Sequence, residues 1–249
     1  MRIAVAGGTG LVGHHVVQAG RDVGHDLILL TRSSGVDVFS GEGLGGALAG
    51  VDVIIDVTNA DINEQAAATE FFTASTSNLG RFGAAAGVKH LVVLSIVGID
   101  GAHTGYYAAK LVQEQAALAT SVPATIVRTT QFHEFPAQMI SRGRDNAVVE
   151  LPDVWVQTVA ACTVGRILVE VAEGPPKRRE RDIGGPEEAK LVVLARRFVE
   201  QFRLGIEIAP VEARLLTRAL LPSDGARIEG PTFEEWLSGR DAAALGGAL

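Results

Sequence analysis

The N-terminal stretch Met1-Arg2-Ile3-Ala4-Val5-Ala6-Gly7-Gly8-Thr9-Gly10-Leu11-Val12-Gly13 decides the fold of this chain. It opens with a short apolar run, which predicts a buried β-strand, and continues with glycines spaced three residues apart. Residues 14–20, which follow, are compatible with a helix. A strand, a glycine turn and a helix in this order are typical of the turn that binds the pyrophosphate of a dinucleotide.

The glycines of this turn have separate physical tasks. Gly7 is expected to take the tight turn off the strand with a positive φ. Gly10 lacks a Cβ, which lets the backbone approach a diphosphate, and Gly13 lets the helix pack against the strand. The free N–H groups of the helix N-terminus then face the phosphates. An ordinary glycine-rich loop is the alternative. The candidate cofactor-binding residues in this turn are Gly7, Thr9, Gly10, Leu11, Val12 and Gly13.

Length and composition restrict the class of protein. The 249 residues, 47% of them hydrophobic, fit one large α/β domain over residues 1–249. A net charge of −7 argues against nucleic-acid binding through a broad basic face. The single cysteine, Cys162, allows no internal disulfide and is expected to be a small core residue. Six scattered histidines give no metal-ligand spacing, so no metal is expected.

The predicted location follows from what the sequence lacks. Because the first strand begins at Arg2, we expect no signal or transit peptide. No apolar run approaches the roughly 20 residues of a membrane span. We therefore interpret the chain as a soluble cytoplasmic protein without membrane partners, either a monomer or a homodimer.

The end of the second predicted strand, residues 25–30, bears on the choice of cofactor. An acidic residue at this position would bind the 2′-hydroxyl of NAD, and none is present. Arg32 offers instead a cation and a flat face to a 2′-phosphate and the adenine, and Ser33 adds a hydroxyl. This pattern favours NADP(H) over NAD(H). The alternative is that Arg32 is a solvated loop residue.

The next part of the chain alternates strands and helices with short connections. Strands are predicted at residues 36–39, 51–57, 89–94 and 124–128, and long helices at 63–86 and 105–119. This alternation favours a doubly wound parallel sheet, the Rossmann type of α/β fold. Thr58 and Asn59 follow a strand at the edge where ligands of such sheets bind. They are therefore candidate cofactor residues, although a plain turn is the alternative.

The second half is less regular. Short strands are predicted near residues 147–151, 155–159, 181–185 and 206–209, and helices at 138–141, 162–172, 187–203 and 232–237. The tail from residue 241 is rich in alanine and glycine and is expected to be frayed.

A candidate catalytic set lies after the strand at 89–94. Ser95 ends that strand, and Tyr106 and Lys110 are four residues apart on the next helix, which places them on one face. A lysine ammonium lowers the pKa of a neighbouring phenol, which can then exchange a proton with a substrate carbonyl. Ser95 is expected to hold the substrate oxygen. Tyr107 flanks the same face, so either tyrosine is a candidate acid, and simple packing of both rings is the alternative.

Together these residues resemble the short-chain dehydrogenase/reductase superfamily. The motifs are Gly7-x-x-Gly10-x-x-Gly13, Arg32 at a strand end, Ser95-Ile96-Val97-Gly98 and the Tyr106/Tyr107 and Lys110 block. The closest branch looks like the NmrA-like NAD(P)-binding group, because residues 156–161 and 183–187 are similar to its C-terminal segments. Thr158 and Thr163 depart from the pattern of that group.

The resemblance covers residues 1 to about 240 and implies a Rossmann fold that binds NADP(H). It also implies that residues of about 131–240 form a small lobe covering the substrate. Lys110 then also contacts the cofactor. Phe132, His133 and Phe135 become candidates to line a slot for a planar substrate, with a packing cluster as the alternative. Members are reductases of quinones, flavins or small carbonyls, or redox-sensing regulators without turnover. The spacing of Tyr106 and Lys110 favours the oxidoreductase over the sensor.

Overall fold

The computed structural model describes residues 1–59, 64–143, 147–213 and 218–246. Within these ranges the strands are β1 (Arg2–Ala6), β2 (Asp26–Leu30), β3 (Val53–Asp56), β4 (His90–Ile96), β5 (Ala124–Thr129), β6 (Val148–Pro152), β7 (Trp155–Val156), β8 (Arg178–Arg179), β9 (Ile183–Gly184), β10 (Ala189–Lys190), β11 (Glu207–Val211) and β12 (Arg227–Ile228). The helices in the same ranges are α1 (Leu11–Asp22), α2 (Leu44–Ala47), α3 (Gln65–Ala86), α4 (Gly105–Ala119), α5 (Phe135–Gly143), α6 (Ala161–Glu173), α7 (Leu191–Phe202), α8 (Phe233–Leu237) and α9 (Arg240–Gly246).

The chain divides into two compact units. The first unit contains Met1–Arg128 and Val164–Arg181, and the second contains Thr129–Thr163 and Asp182–Leu249. The sequence predicts a lobe from about 131 to 240. In the structure the chain returns to the first unit between residues 164 and 181.

The first unit is built on a parallel sheet in the order β8-β5-β4-β3-β1-β2. β1 lies between β2 and β3, so that Ile3 is level with Leu27 on one side and Val53 on the other. The side chains in the middle of β1, β3 and β4 are buried. Strands with continuous apolar runs are typical of a parallel sheet that is covered on both faces. The predicted doubly wound α/β architecture is confirmed.

Helices α3 and α4 pack against each other beside this sheet. Their interface is made by small and aromatic side chains, among which Ala68, Phe72 and Ala109 are fully buried. Gly87 ends α3 with a φ of 78°, the left-handed conformation in which glycine is favoured. Of the predicted helix at 63–86, Asn63 lies outside the described residues.

The second unit has its own apolar core. Two short two-stranded sheets, β6 with β11 and β7 with β10, share this core with helices α5, α7, α8 and α9. Leu151, Phe198 and Ala242 are fully buried in this core. Thr129, the last residue of β5, pairs with Ile183 of β9, and β9 pairs in parallel with β12.

Several local predictions are wrong. Residues 36–39 form a turn rather than a strand, because the Asp37 carboxylate accepts the backbone N–H of Phe39 at 2.8 Å and replaces a ladder hydrogen bond. Cys162 is exposed, not a core residue. The expected frayed tail contains α9, which is held because Ala242 is buried. The helix predicted from 187 begins at Leu191, since Ala189 and Lys190 pair with β7.

None of the helices described combines the length and apolar character needed to cross a membrane. In the described ranges, no group of three or more His, Cys, Asp or Glu side chains is arranged to hold a metal ion.

Candidate active site

The glycine turn between β1 and α1 leaves no room for a side chain at Gly7 or Gly13. Gly7 has a φ of 81°, and a Cβ there would lie 2.7 Å from the carbonyl oxygen of Val57. A Cβ at Gly13 would lie 2.0 Å from the carbonyl oxygen of Gly7. Gly7 is therefore required by its conformation and its contact with the residues after β3, and Gly13 by the close approach of α1 to the turn.

The start of α1 has no side-chain cap for its backbone N–H groups among the described residues. Gly10 is the N-cap, has no side chain to cap the helix, and no acidic residue lies in the first turn. The turn is closed by the Gly10 N–H donating to the Gly7 carbonyl at 2.9 Å. Thr9 and Gly10 are exposed, and Leu11 is half-buried. This tight backbone cradle at a helix N-terminus fits a dinucleotide pyrophosphate.

Arg32 and Ser33 lie in a single 3-10 turn directly after β2. This turn, Arg32–Ser34, is fixed by Thr31 and Ser34, whose side chains each bond the other residue's backbone. The Ser33 and Thr31 hydroxyls lie 3.0 Å apart. Arg32 is exposed, and in the described part of the chain its guanidinium has no ion pair. The backbone is thus ordered while the cation stays available to an anion.

The end of β3 connects the glycine turn to helix α4. Val57 and Thr58 contact the position of a Gly7 Cβ, and the next residue, Asn59, accepts a hydrogen bond of 2.7 Å from the Tyr106 hydroxyl. Thr58 is buried and Asn59 exposed. The predicted cofactor residues Thr58 and Asn59 therefore lie between the glycine turn and the predicted acid.

Tyr106 and Lys110 share one face of α4, as their spacing predicts. Both contact the buried ring of Phe72 on α3: the Tyr106 ring centroid is 5.8 Å away and the Lys110 Nζ is 4.8 Å from the ring centre. The Tyr107 ring lies 6.2 Å from that of Tyr106. The Tyr106 hydroxyl donates to Asn59, the residue after Thr58, and Tyr106 stays the predicted acid.

Lys110 is buried, with only 4% of its surface exposed, so it is not a solvated surface lysine. Its Nζ donates to the carbonyl oxygen of Leu94 at 2.8 Å and to the Oε1 of Gln113. Burial lowers the pKa of Lys110 to about 8, while the negative charges of Asp56 and Glu114 act to raise it. The residue is therefore an ammonium at neutral pH, and the hydrogen bonds use two of its three N–H donors.

Ser95 lies on β4 directly after Leu94, whose carbonyl Lys110 binds. It is 2% exposed, and its Oγ has no hydrogen-bond partner among the described residues. Because buried hydroxyls are almost always hydrogen-bonded, an orphaned one is suited to a ligand oxygen.

The three predicted substrate residues all belong to the second unit. Phe132 and Phe135 are half-buried, and Phe135 packs against the core of that unit. His133 is 1% exposed, and both its ring nitrogens are hydrogen-bonded. Its Nε2–H donates to the Pro231 carbonyl at 3.1 Å, so its Nδ1 accepts from the Thr158 hydroxyl at 2.7 Å.

His133 is therefore arranged as a structural hydrogen-bonder, one of the two readings that its sequence position permits. Burial lowers its pKa to about 4, which keeps the imidazole neutral. Thr158, which departs from the resembled group, has a clear task here because its hydroxyl fixes this histidine.

Four residues that contact or neighbour the predicted site residues were not predicted from the sequence. Asp56 and Gln113 connect to Lys110, Phe72 supports both α4 side chains, and Glu134 is a buried carboxylate beside His133 in the chain. A position three residues after Lys110 on a helix was a usable signal for Gln113. No sequence signal indicates the burial of Asp56 or Glu134.

Comparison with known proteins supports the fold. No protein-family model matches the sequence, and no curated protein sequence matches it significantly. Many solved structures do match. MoeE5, in complex with UDP-glucose and NAD, is 18% identical with a TM-score of 0.75 over 98% of this chain and 99% of that chain.

Two further structures extend this likeness. The dTDP-4-dehydrorhamnose reductase of Bacillus anthracis, in complex with NADP, is 14% identical, with a TM-score of 0.73 over 95% of this chain and 96% of its own. A short-chain dehydrogenase/reductase superfamily protein of Agrobacterium tumefaciens with bound NAD is 16% identical, with a TM-score of 0.69 over 100% and 98%. At these identities the comparisons show the fold alone. The chain has the fold of that superfamily, as the resemblance predicts, and the NmrA-like branch stays a prediction.

Proposed function

We propose that this chain is an NADP(H)-dependent oxidoreductase that reduces a quinone, a flavin or a small carbonyl compound. One observation carries the proposal: an unbroken series of contacts joins the glycine turn to the candidate acid. Gly7 abuts Val57 and Thr58, Asn59 accepts from Tyr106, and Lys110 shares the Phe72 face with Tyr106. These contacts support the proposal that the predicted cofactor turn and the predicted proton donor act in one site of the first unit.

Each residue has a defined role in this reaction. The hydride for the acceptor would come from the nicotinamide dinucleotide when it is bound. Tyr106 donates the proton that the reduced oxygen requires, and the Lys110 ammonium lowers the pKa of the phenol and binds a cofactor hydroxyl. The orphaned Ser95 hydroxyl holds the acceptor oxygen. The helix N-terminus at Leu11, Val12 and Gly13 binds the pyrophosphate.

The preference for NADP(H) rests on Arg32. The fold neighbours named above are complexes with either NAD or NADP, so they support a nicotinamide dinucleotide without distinguishing the two. An exposed guanidinium on an ordered turn after β2 suits the 2′-phosphate, and Ser33 adds a hydroxyl beside it. Phe132 and Phe135 stay predictions from the sequence for contacts with a planar substrate.

The test compares wild type with Tyr106→Phe and with Tyr107→Phe, which removes the same hydroxyl from the neighbouring position. NADPH binding is first titrated by fluorescence, and NADPH consumption is then followed at its absorbance maximum against quinones, flavins and aldehydes. We expect all three proteins to bind NADPH. Wild type and Tyr107→Phe should turn over, and Tyr106→Phe should lose about 100-fold or more in kcat.

Other outcomes decide between functions. If wild type binds NADPH tightly but reduces none of the acceptors, the proposal of a reductase fails in favour of a redox-sensing binding protein. If NADPH does not bind, the assignment of the glycine turn is wrong. If Tyr107→Phe is the inactive variant, the acid is Tyr107.

A further inference from the structure

A buried series of hydrogen bonds connects Lys110 to Asp56, the carboxylate that ends β3. Asp56 and Gln113 are both fully buried. The Lys110 Nζ donates to the Oε1 of Gln113, and the Nε2 of Gln113 donates to the Oδ2 of Asp56 at 3.0 Å. Nothing in the proposed reaction uses Gln113 or Asp56 directly, so their burial calls for another explanation.

The chemistry of Lys110 and Asp56 fixes the direction of these hydrogen bonds. An ammonium can only donate hydrogen bonds, and a carboxylate can only accept them. A bridging side chain must therefore present an acceptor to Lys110 and a donor to Asp56, which an amide does in only one orientation. Leucine at position 113 would satisfy neither end, and glutamate would place two carboxylates together.

Asp56 also fixes the turn that follows β3. Its Oδ1 accepts the backbone N–H of Thr58 at 3.0 Å and the Thr58 hydroxyl at 2.7 Å. Its Oδ2 accepts the Thr76 hydroxyl of α3 at 3.2 Å, in addition to Gln113. Since Asn59 follows Thr58 and accepts the Tyr106 hydroxyl, one carboxylate is linked to both halves of the proposed catalytic pair.

Charges from two elements face the lysine. Asp56 of β3 and Glu114 of α4 both favour its ammonium form, against the burial that lowers its pKa to about 8. Glu114 is itself bound to Arg128 of β5, with 2.7 Å between the Nε of Arg128 and the Oε1 of Glu114. Glu114 is thus occupied by Arg128. The carboxylate that the Gln113 amide connects to Lys110 is that of Asp56.

We propose that Asp56 and Gln113 are positioning residues, which hold the Lys110 ammonium through a hydrogen-bond relay of fixed direction and tie it to the turn that receives Tyr106. The effect of this relay on catalysis rests on the function proposed above. The relay itself is a property of the first unit and can be measured without turnover.

The experiment is a pH titration of the lysine side chains by NMR, with ¹³C at Cε. The chain has only four lysines, Lys89, Lys110, Lys177 and Lys190, and the Lys110 signal is assigned by its loss in Lys110→Met. The variants are Gln113→Leu and Asp56→Asn. Gln115→Leu, the same change on the exposed side of α4, is the control.

We expect the pKa of Lys110 to fall by about one unit or more in Gln113→Leu, because the ammonium loses an acceptor, and in Asp56→Asn, because it loses an opposing charge. Gln115→Leu should leave it unchanged. Circular dichroism checks folding, and if Asp56→Asn does not fold, Gln113→Leu decides. A Lys110 pKa in folded Gln113→Leu equal to that of wild type overturns the relay.

Kinetics then separates this proposal from the function on which it rests. If the protein reduces an acceptor, the alkaline limb of kcat/KM should move to lower pH in Gln113→Leu by the shift seen in the NMR titration, with the KM for NADPH little changed. If the NMR shift appears but no acceptor is reduced by any variant, the relay stands and the proposed function fails. If turnover is present and the limb does not move, Gln113 has no positioning role.

Discussion

Glu134, a carboxylate in the core of the second unit, should make the stability of that unit strongly dependent on pH. The residue is 1% exposed, and neither of its carboxylate oxygens reaches a hydrogen-bond partner among the described residues. Burial raises its pKa from 4.5 to about 7, and the negative charge of Asp241 adds to the increase. Backbone amides and the Trp236 indole act against the increase without reaching hydrogen-bond geometry.

The sign of the effect follows from proton binding. Between pH 4.5 and about 7 the folded state holds a proton on Glu134 that the unfolded chain has lost, so stability falls as pH rises. Each unit of pKa difference is worth about 1.4 kcal/mol, so the loss across this range is about 3 kcal/mol. Below pH 4.5 both states are protonated and there is no loss.

Glutamine resembles the protonated acid in shape and carries no charge. We expect Glu134→Gln to match wild type near pH 4 and to become more stable by about 3 kcal/mol at pH 8. His133 opposes Glu134 in the wild type, because its pKa is lowered to about 4 and the stability associated with it is lost as pH falls from 6.5. Because His133 is present in both proteins, its contribution cancels in the difference in unfolding free energy between Glu134→Gln and wild type.

The assay is urea unfolding from pH 4 to 8, followed by tryptophan fluorescence. Both tryptophans, Trp155 and Trp236, belong to the second unit, so the signal reports on the unit that contains Glu134. Glu187→Gln, an exposed position in the same unit, is the control and should show no such trend. A constant difference between Glu134→Gln and wild type across this pH range would refute the reasoning.

Three further predictions concern the first unit. Gly13→Ala places a Cβ 2.0 Å from the Gly7 carbonyl and should lower thermal stability by about 2 kcal/mol or more. Gly46→Ala, whose Cβ meets no atom within 4 Å, should be neutral or stabilising by up to about 1 kcal/mol, and equal melting temperatures would contradict this contrast. Arg32→Ala should weaken NADPH binding about tenfold or more with NADH binding unchanged, whereas Arg21→Ala at the far end of α1 should alter neither; a parallel loss for both cofactors in a fluorescence titration excludes a 2′-phosphate contact. Arg128→Met leaves a buried carboxylate on α4 without its partner and should cost about 3–5 kcal/mol in urea unfolding, so a loss under 1 kcal/mol would show that the pair is unimportant.

The backbone of the first unit was largely predictable because its signals are local. Apolar runs mark strands that are buried on both faces, and glycines at Gly7 and Gly87 adopt the positive φ that their turns require. The wrong predictions have two causes: a side chain that bonds its own backbone in place of a strand, and contacts between residues far apart in the sequence. Asp37 bonds its own turn in place of a strand, and α9 forms because Ala242 finds a core that lies far away in the sequence.

In the candidate site, too, the local features were predictable from the sequence and the contacts between distant residues were not. The spacing of Tyr106 and Lys110 was enough to place them on one face, because helical periodicity is a property of consecutive residues. The sequence could not show that Lys110 is buried, nor that Gln113 connects it to Asp56, a residue 57 positions earlier in the chain. It also left both interpretations of His133 open, whereas in the structure Thr158 and Pro231 bond its two ring nitrogens.

By itself, then, the sequence determined the strand, glycine turn and helix that begin the chain, the parallel α/β architecture and the pairing of tyrosine with lysine on one helix face. Only the tertiary structure decided the burial of Lys110, His133 and Glu134 and the hydrogen-bond partners of Lys110 and His133. The physical reason is that conformation and face depend on neighbours along the chain. Desolvation and hydrogen bonding depend on which distant groups the folded chain brings within a few ångströms.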